Sequence, residues 1–259
     1  MFCCLLPDAA IFTRVWGFTS NYVSLQKGQT HFQAKGLMMP TVVFDLDGTL
    51  ADTSGDLLGA ANTCFRDLGL GTLLGPDDKG TALKGGRAML RLGFSRVAGF
   101  DETDVDANYQ PLLLAYARDI DTHTVLYDGA MDAVRALKAA GYKVAICTNK
   151  PEGLAEILMT SLGVRDEFAA LLGADTLPVR KPDPEHLFET VRRAGGDPTR
   201  CVLVGDTATD RDTSKNAGAP SILVTFGPSG GDMAALAPEG MIDNYGELMG
   251  EVIRLIGPA

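Results

Sequence analysis

The chain is 259 residues long, 46% apolar and 22% charged, with a formal net charge of −10. That length and composition suit one soluble globular domain, or one domain carrying a smaller insert, with enough apolar residues for a sizeable core. The acidic balance excludes a general nucleic-acid or anionic-membrane binder, and no apolar run reaches the roughly 18 residues that a membrane span needs.

Residues 1–38 stand apart from the rest. They hold one acid, Asp8, scattered aromatics and no helical or alternating period, and their first basic residue is Arg14. A secretory leader wants basic residues ahead of its apolar stretch, so that reading is disfavoured; an acid-poor transit peptide stays open, although arginine is sparse. We read 1–38 as an N-terminal extension, disordered or upstream of the true start, because Met38-Met39-Pro40-Thr41 runs straight into a strand. The cysteines (Cys3, Cys4, Cys64, Cys147 and Cys201) show neither a disulfide framework nor a zinc spacing. Cys147 and Cys201 lie in apolar runs as buried free thiols, which fits a reducing cytoplasm.

From residue 41, short apolar runs alternate with helical stretches. The runs are 41–44 (TVVF), 143–147 (KVAIC), 169–173 (AALLG), 201–204 (CVLV) and 221–225 (SILVT). Continuous β-branched runs bounded by polar residues or glycine suit strands buried on both faces. Helices are expected over 130–140, 152–162, 185–194 and 209–217. This alternation implies an α/β fold with a doubly wound, Rossmann-like parallel sheet.

One gap is anomalous. The stretch between the first strand and the second is far longer than a single crossover requires. Residues 54–124 read mostly as amphipathic helices, as in DLLGAANTCFRDLG and YQPLLLAYARDI. The expected division is therefore a catalytic core of 39–53 and 125–259, with an inserted α-helical cap domain over 54–124. Such an insert would sit over the carboxyl ends of the strands, where ligands bind in open α/β sheets, and close on them as a lid.

Four strand ends carry candidate chemistry. The first is Asp45-Leu46-Asp47-Gly48-Thr49-Leu50. Phosphoryl transfer needs a nucleophile, a proton donor for the leaving oxygen and an anchored divalent cation; a close aspartate pair supplies the first two. An ordinary turn would use the same residues. The second is Thr148-Asn149-Lys150, where a hydroxyl and an amide can hold a phosphate oxygen, or merely start a helix at Pro151. The third is Arg180-Lys181-Pro182-Asp183-Pro184, whose prolines stiffen the backbone around Lys181 so that its ammonium can offset carboxylate and phosphate charge. Arg180 competes for that role. The fourth is Gly205-Asp206-Thr207-Ala208-Thr209-Asp210. Its carboxylates suit a helix start, yet Asp206, directly after a buried strand, also suits a hard cation such as magnesium.

All four signals meet the same sheet edge, and their order resembles the four motifs of the haloacid dehalogenase superfamily. The resemblance covers roughly 41–256 and includes the position of the insert; within the superfamily the chain looks most like the phosphoglycolate phosphatases. The resemblance implies Asp45 as a nucleophile forming an aspartyl-phosphate and Asp47 as the acid/base. It implies Mg2+ held by Asp45, the Asp47 backbone carbonyl and Asp206, with Asp210 behind them or acting through a water. Thr148, Asn149 and Lys181 would hold the phosphoryl group. Two residues depart from relatives: Arg211 stands where an aliphatic residue is common, and Asp128 replaces a proline.

In the insert, Lys84-Gly85-Gly86-Arg87 is the expected substrate loop, with amides of Gly86 able to approach a ligand and Arg87 able to pair with a carboxylate. A plain helix start with an exposed arginine is the competing reading. His123 is expected at a hinge or the surface. The partner is thus a small phosphate ester, most simply 2-phosphoglycolate, with no nucleic acid and no membrane; the sequence sets no oligomeric state. A sugar-phosphate phosphatase or phosphomutase shares the four motifs, and a non-catalytic phospholigand sensor would have lost some of them. A dehalogenase needs neither Asp47 nor the metal site, and a phosphonate hydrolase needs a cap lysine such as Lys79 or Lys84.

Overall fold

The computed structural model of the chain describes residues 39–228 and 233–259; the expectation for 1–38 lies outside the described residues. In chain order come β1 (Met39–Phe44), β2 (Ala51–Asp52), α1 (Ser54–Asp67), α2 (Lys79–Ala82), α3 (Gly86–Phe94), α4 (Glu102–Arg118) and β3 (Val125–Leu126). Then follow α5 (Ala130–Ala139), β4 (Lys143–Cys147), α6 (Glu152–Ser161), β5 (Ala170–Leu172), α7 (Pro184–Arg193) and β6 (Gly196–Gly205). The chain closes with α8 (Ala208–Ala217), β7 (Ser221–Val224), β8 (Gly240–Ile242) and α9 (Leu248–Ile256).

Six strands form one sheet in the order β5-β4-β1-β6-β7-β8, and every neighbouring pair is parallel. The strand residues alternate between two buried layers. Val42 and Phe44 pack with Val134 and Leu137 of α5, Leu158 of α6 and Val252 of α9. Val43 faces the other way, onto Leu187 and Val191 of α7 together with Cys147, Cys201 and Leu203. Helices therefore cover both faces, which is why the strands read as unbroken apolar runs rather than as alternation. Cys64, Cys147 and Cys201 are buried free thiols.

The edge strand β8 was not expected from the sequence: three residues, one of them exposed Met241, give no periodic signal. Arg211, the departure noted above, pairs with Glu239 just before β8, and Glu239 also accepts from the backbone N–H and hydroxyl of Ser221 at the start of β7. Among the described residues no helix is long and apolar enough to cross a membrane.

Helices α1 to α4 leave and rejoin the sheet through a two-stranded antiparallel ladder, Ala51↔Leu126 and Asp52↔Val125. A second clasp lies beside it. The Asp56 carboxylate, 5% exposed, accepts from the backbone N–H of His123 at 3.0 Å, and from the backbone N–H and hydroxyl of Thr124, both at 2.8 Å. His123 itself is exposed and presents only its backbone to this clasp. Inside the insertion Phe65, Met89, Leu90, Phe94, Leu112 and Tyr116 are buried, with Phe94 stacked on Phe100 at 4.7 Å.

Candidate active site

The carboxyl ends of β1, β4 and β6 and the loop before α7 converge on one cavity of about 870 Å³, whose opposite wall comes from the insertion. Asp45, Asp47, Thr148, Asn149, Lys181 and Asp206 line it from the sheet side; Gly86, Arg87, Tyr109 and Tyr116 line it from the insertion.

Asp45 follows β1 directly. Its Oδ1 accepts the backbone N–H of Leu46 at 2.7 Å and lies 3.0 Å from Lys181 Nζ. Burial pushes the Asp45 carboxyl up to about 6, against the pull of the Lys181 ammonium. Lys181 is 3% exposed and bridges Asp45 to Asp210, whose Oδ1 is 2.6 Å from Nζ. These two carboxylates hold the ammonium in its charged form although burial opposes it. Arg180, the competitor, is exposed and also lines the cavity, but it has none of the contacts with Asp45 and Asp210 that hold Lys181. Asp183 caps α7 by accepting the N–H of Glu185 at 2.9 Å, with Pro184 at the first helical position, so the helix start anchors the Lys181 segment.

Gly48 closes the turn after Asp47. Its φ of +83° favours glycine, and a Cβ there would lie 2.4 Å from Asp206 Oδ2. Thr49 donates its hydroxyl to Asp206 Oδ1 at 2.9 Å. A glycine therefore brings the first loop against the fourth strand end. Asp210 is the third residue of α8, and its Oδ2 accepts from the backbone N–H groups of Asp206 and Thr207 and from the Thr207 hydroxyl at 3.3, 3.1 and 2.6 Å. Both Asp210 oxygens thus have protein partners.

Asp45, Asp206 and Asp210 each offer a carboxylate oxygen, and the three oxygens lie within 4.8 Å of one another in a buried setting. Clustered hard oxygen donors fit a hard divalent cation better than a thiophilic one. With Oδ1 on Lys181 and Oδ2 capping its helix, Asp210 fits an orienting role better than direct ligation.

Two of the other expected residues act partly on the protein itself. Thr148, 1% exposed, accepts the Lys150 backbone N–H at 3.2 Å. Asn149 donates its side-chain amide to the Lys181 carbonyl at 3.0 Å, tying the second strand end to the third. In the insertion, Gly86 opens α3 against Tyr109 and Leu112, and the Arg87 guanidinium lies over the Tyr109 ring while pairing with Asp106. Arg87 therefore lines the cavity with a carboxylate already on it.

Sequence reasoning missed Lys150. It is 6% exposed, and its Nζ reaches both Asp47 oxygens, at 2.8 and 3.0 Å. Asp47 also accepts the Thr53 hydroxyl at 2.7 Å. The signal was present, a lysine three residues past the end of β4 at the candidate edge, but its partner is remote in the chain.

Comparison with known proteins agrees with this architecture. Residues 39–218 match the family model described as haloacid dehalogenase-like hydrolase. A protein of Mesorhizobium japonicum named phosphoglycolate phosphatase is 39% identical over 225 residues, covering 85% of this chain and 98% of the relative. One of the same name from Agrobacterium fabrum is 37% identical over 212 residues, covering 82% and 91% respectively. The crystal structure of a predicted phosphoglycolate phosphatase from Haemophilus somnus superposes with a TM-score of 0.74 at 23% identity, covering 82% of this chain and 97% of that one, and so supports the fold. The chain belongs to the haloacid dehalogenase-like hydrolase family.

Proposed function

We propose that the chain is a cytoplasmic, magnesium-dependent phosphatase that converts 2-phosphoglycolate to glycolate through an aspartyl-phosphate on Asp45. The observation that carries the reading is the cavity holding Asp45, Asp47, Lys181 and Asp206 together at one sheet edge under a helical wall. The relatives named above support the substrate.

In this scheme an Asp45 oxygen attacks phosphorus while the bond from phosphorus to the leaving oxygen breaks. Asp47 gives its proton to that oxygen, then takes one from the water that cleaves the acyl phosphate. Lys181 keeps Asp45 oriented and offsets charge on the phosphoryl group, with Thr148 and Asn149 completing the phosphate seat. Magnesium, held by Asp45, the Asp47 carbonyl and Asp206 with Asp210 behind them, would neutralise the phosphate oxygens. Residues 54–124 act as the cap that excludes water and chooses the substrate. Gly86 and Arg87 belong to that recognition, and a substrate carboxylate would have to share or displace Asp106.

Steady-state turnover of a panel of small phosphate esters tests the reading. The expected outcome is magnesium-dependent release of phosphate, with the highest kcat/KM on 2-phosphoglycolate. No phosphate released from any ester would contradict it. A cavity of about 870 Å³ leaves room for a larger ligand, which favours a sugar phosphate as the second reading. Preference for a sugar phosphate in the same panel would select that alternative.

A further inference from the structure

Lys150 and Tyr116 form a contact between sheet and insertion that the scheme above leaves unused. Lys150 follows the end of β4, and its side chain is 3% exposed. An ammonium removed from water must be matched by partners. Lys150 has two kinds. One is the Asp47 carboxylate, gripped through both oxygens. The other is the ring of Tyr116 from α4, whose centroid lies 4.3 Å from Nζ. Tyr116 is 1% exposed, and its buried hydroxyl, although near the same ammonium, makes no hydrogen bond of ordinary geometry. The ring face is the contact with defined geometry, and the Tyr116→Phe variant separates it from the hydroxyl.

We infer that Lys150 is the positioning residue for Asp47 and that Tyr116 completes its seat, so that the orientation of Asp47 depends on the insertion being docked. The inference rests on Asp47 being the proton donor to the leaving oxygen. A carboxylate beyond the end of a strand can rotate; two oxygens held by one ammonium, with Thr53 on the same Oδ1, cannot do so freely. Losing the ring removes one of the two partners of a buried charge, and the ammonium then has reason to shift toward water and take Asp47 with it.

The test compares an alkyl phosphate, whose leaving alkoxide needs a proton, with 4-nitrophenyl phosphate, whose leaving phenolate does not. Lys150→Met should lower the alkyl-to-aryl kcat ratio by about tenfold or more, since general-acid assistance matters most for a poor leaving group. Tyr116→Leu should move the ratio the same way by roughly threefold, and returning the ring with Tyr116→Phe should recover it. The double variant Lys150→Met/Tyr116→Leu should show no lower ratio than Lys150→Met, because both act through one contact. Aryl turnover also reports that each variant is folded. Equal losses on both esters would assign Lys150 a structural role and overturn the inference. A ratio unmoved by Tyr116→Leu would detach the insertion from it. If the wild type hydrolyses neither ester, the phosphatase reading itself falls, and this inference with it.

Discussion

Replacing Asp56 with alanine probes how the insertion is tied to the sheet. The carboxylate sits in the first turn of α1 and receives hydrogen bonds from His123 and Thr124, at the point where the chain returns toward the sheet. His123 is exposed, so its N–H regains water in the variant. Thr124 is 6% exposed; its hydroxyl keeps a second contact, the Ile120 carbonyl at 3.3 Å, but its N–H is left without a partner. Hydrogen bonds to a charged group contribute about 1.5–3 kcal/mol each, and an orphaned buried donor costs about 1–3 kcal/mol. Release of the desolvated carboxylate offsets part of this, leaving a net loss of roughly 3 kcal/mol. Urea denaturation followed by far-UV circular dichroism reads that loss directly, and limited proteolysis should show new cleavage near residues 121–124. A loss below about 1 kcal/mol would refute the reasoning, because it would mean the clasp is solvated in solution.

Three further outcomes follow. Arg87→Ala should lower kcat/KM for 2-phosphoglycolate by roughly tenfold while sparing an aryl phosphate, and Asp106→Ala, which frees the guanidinium, should lower KM for 2-phosphoglycolate; equal losses on both esters would make Arg87 structural. Burial pushes the His186 imidazole down to about 4 from its usual 6.5, with Nε2 donating to the Gly173 carbonyl and Nδ1 facing the Cys147 thiol. The folded chain therefore favours the neutral ring: its contribution is fully present above pH 6.5 and is lost as pH falls toward 4, on the order of 3 kcal/mol in all. Urea midpoints of wild type and His186→Gln between those pH values should converge on acidification; parallel curves would contradict this. Chelation should abolish ester turnover, magnesium should restore it, and calcium should inhibit through its looser coordination, whereas full activity in excess chelator would rule out the metal site.

The strands and their helices were legible because parallel strands buried on both faces leave unbroken apolar runs, and TVVF, KVAIC and CVLV are such runs. The meeting of Asp45, Lys181 and Asp206 at one edge was also legible, since Asp45 and Asp206 directly follow strands and Lys181 lies on the proline-stiffened segment just ahead of α7. What escaped depends on contacts between residues distant in sequence. Lys150 received no role because nothing near it in the sequence shows that Asp47 and Tyr116 will enclose it. Asp56 carries no signal of its role in the sequence, because its partners come from the far end of the insertion. The two-residue strands β2 and β3 and the three-residue β8 are too short to carry a period. Arg87 was visible as a cation in a glycine-rich loop, but its pairing with Asp106 lies on the next helix and could not be read from spacing.

The central claim is a covalent phosphoryl group on Asp45, and trapping it is the most direct test. Asp47→Asn protein mixed with phosphorus-32-labelled substrate and magnesium, then quenched in acid within milliseconds, should retain label on the denatured chain. Peptide mapping should place that label on the peptide carrying Asp45, and Asp45→Asn protein should retain none. No label on the Asp47→Asn protein while it still turns over the ester, or label on another residue, would contradict the account.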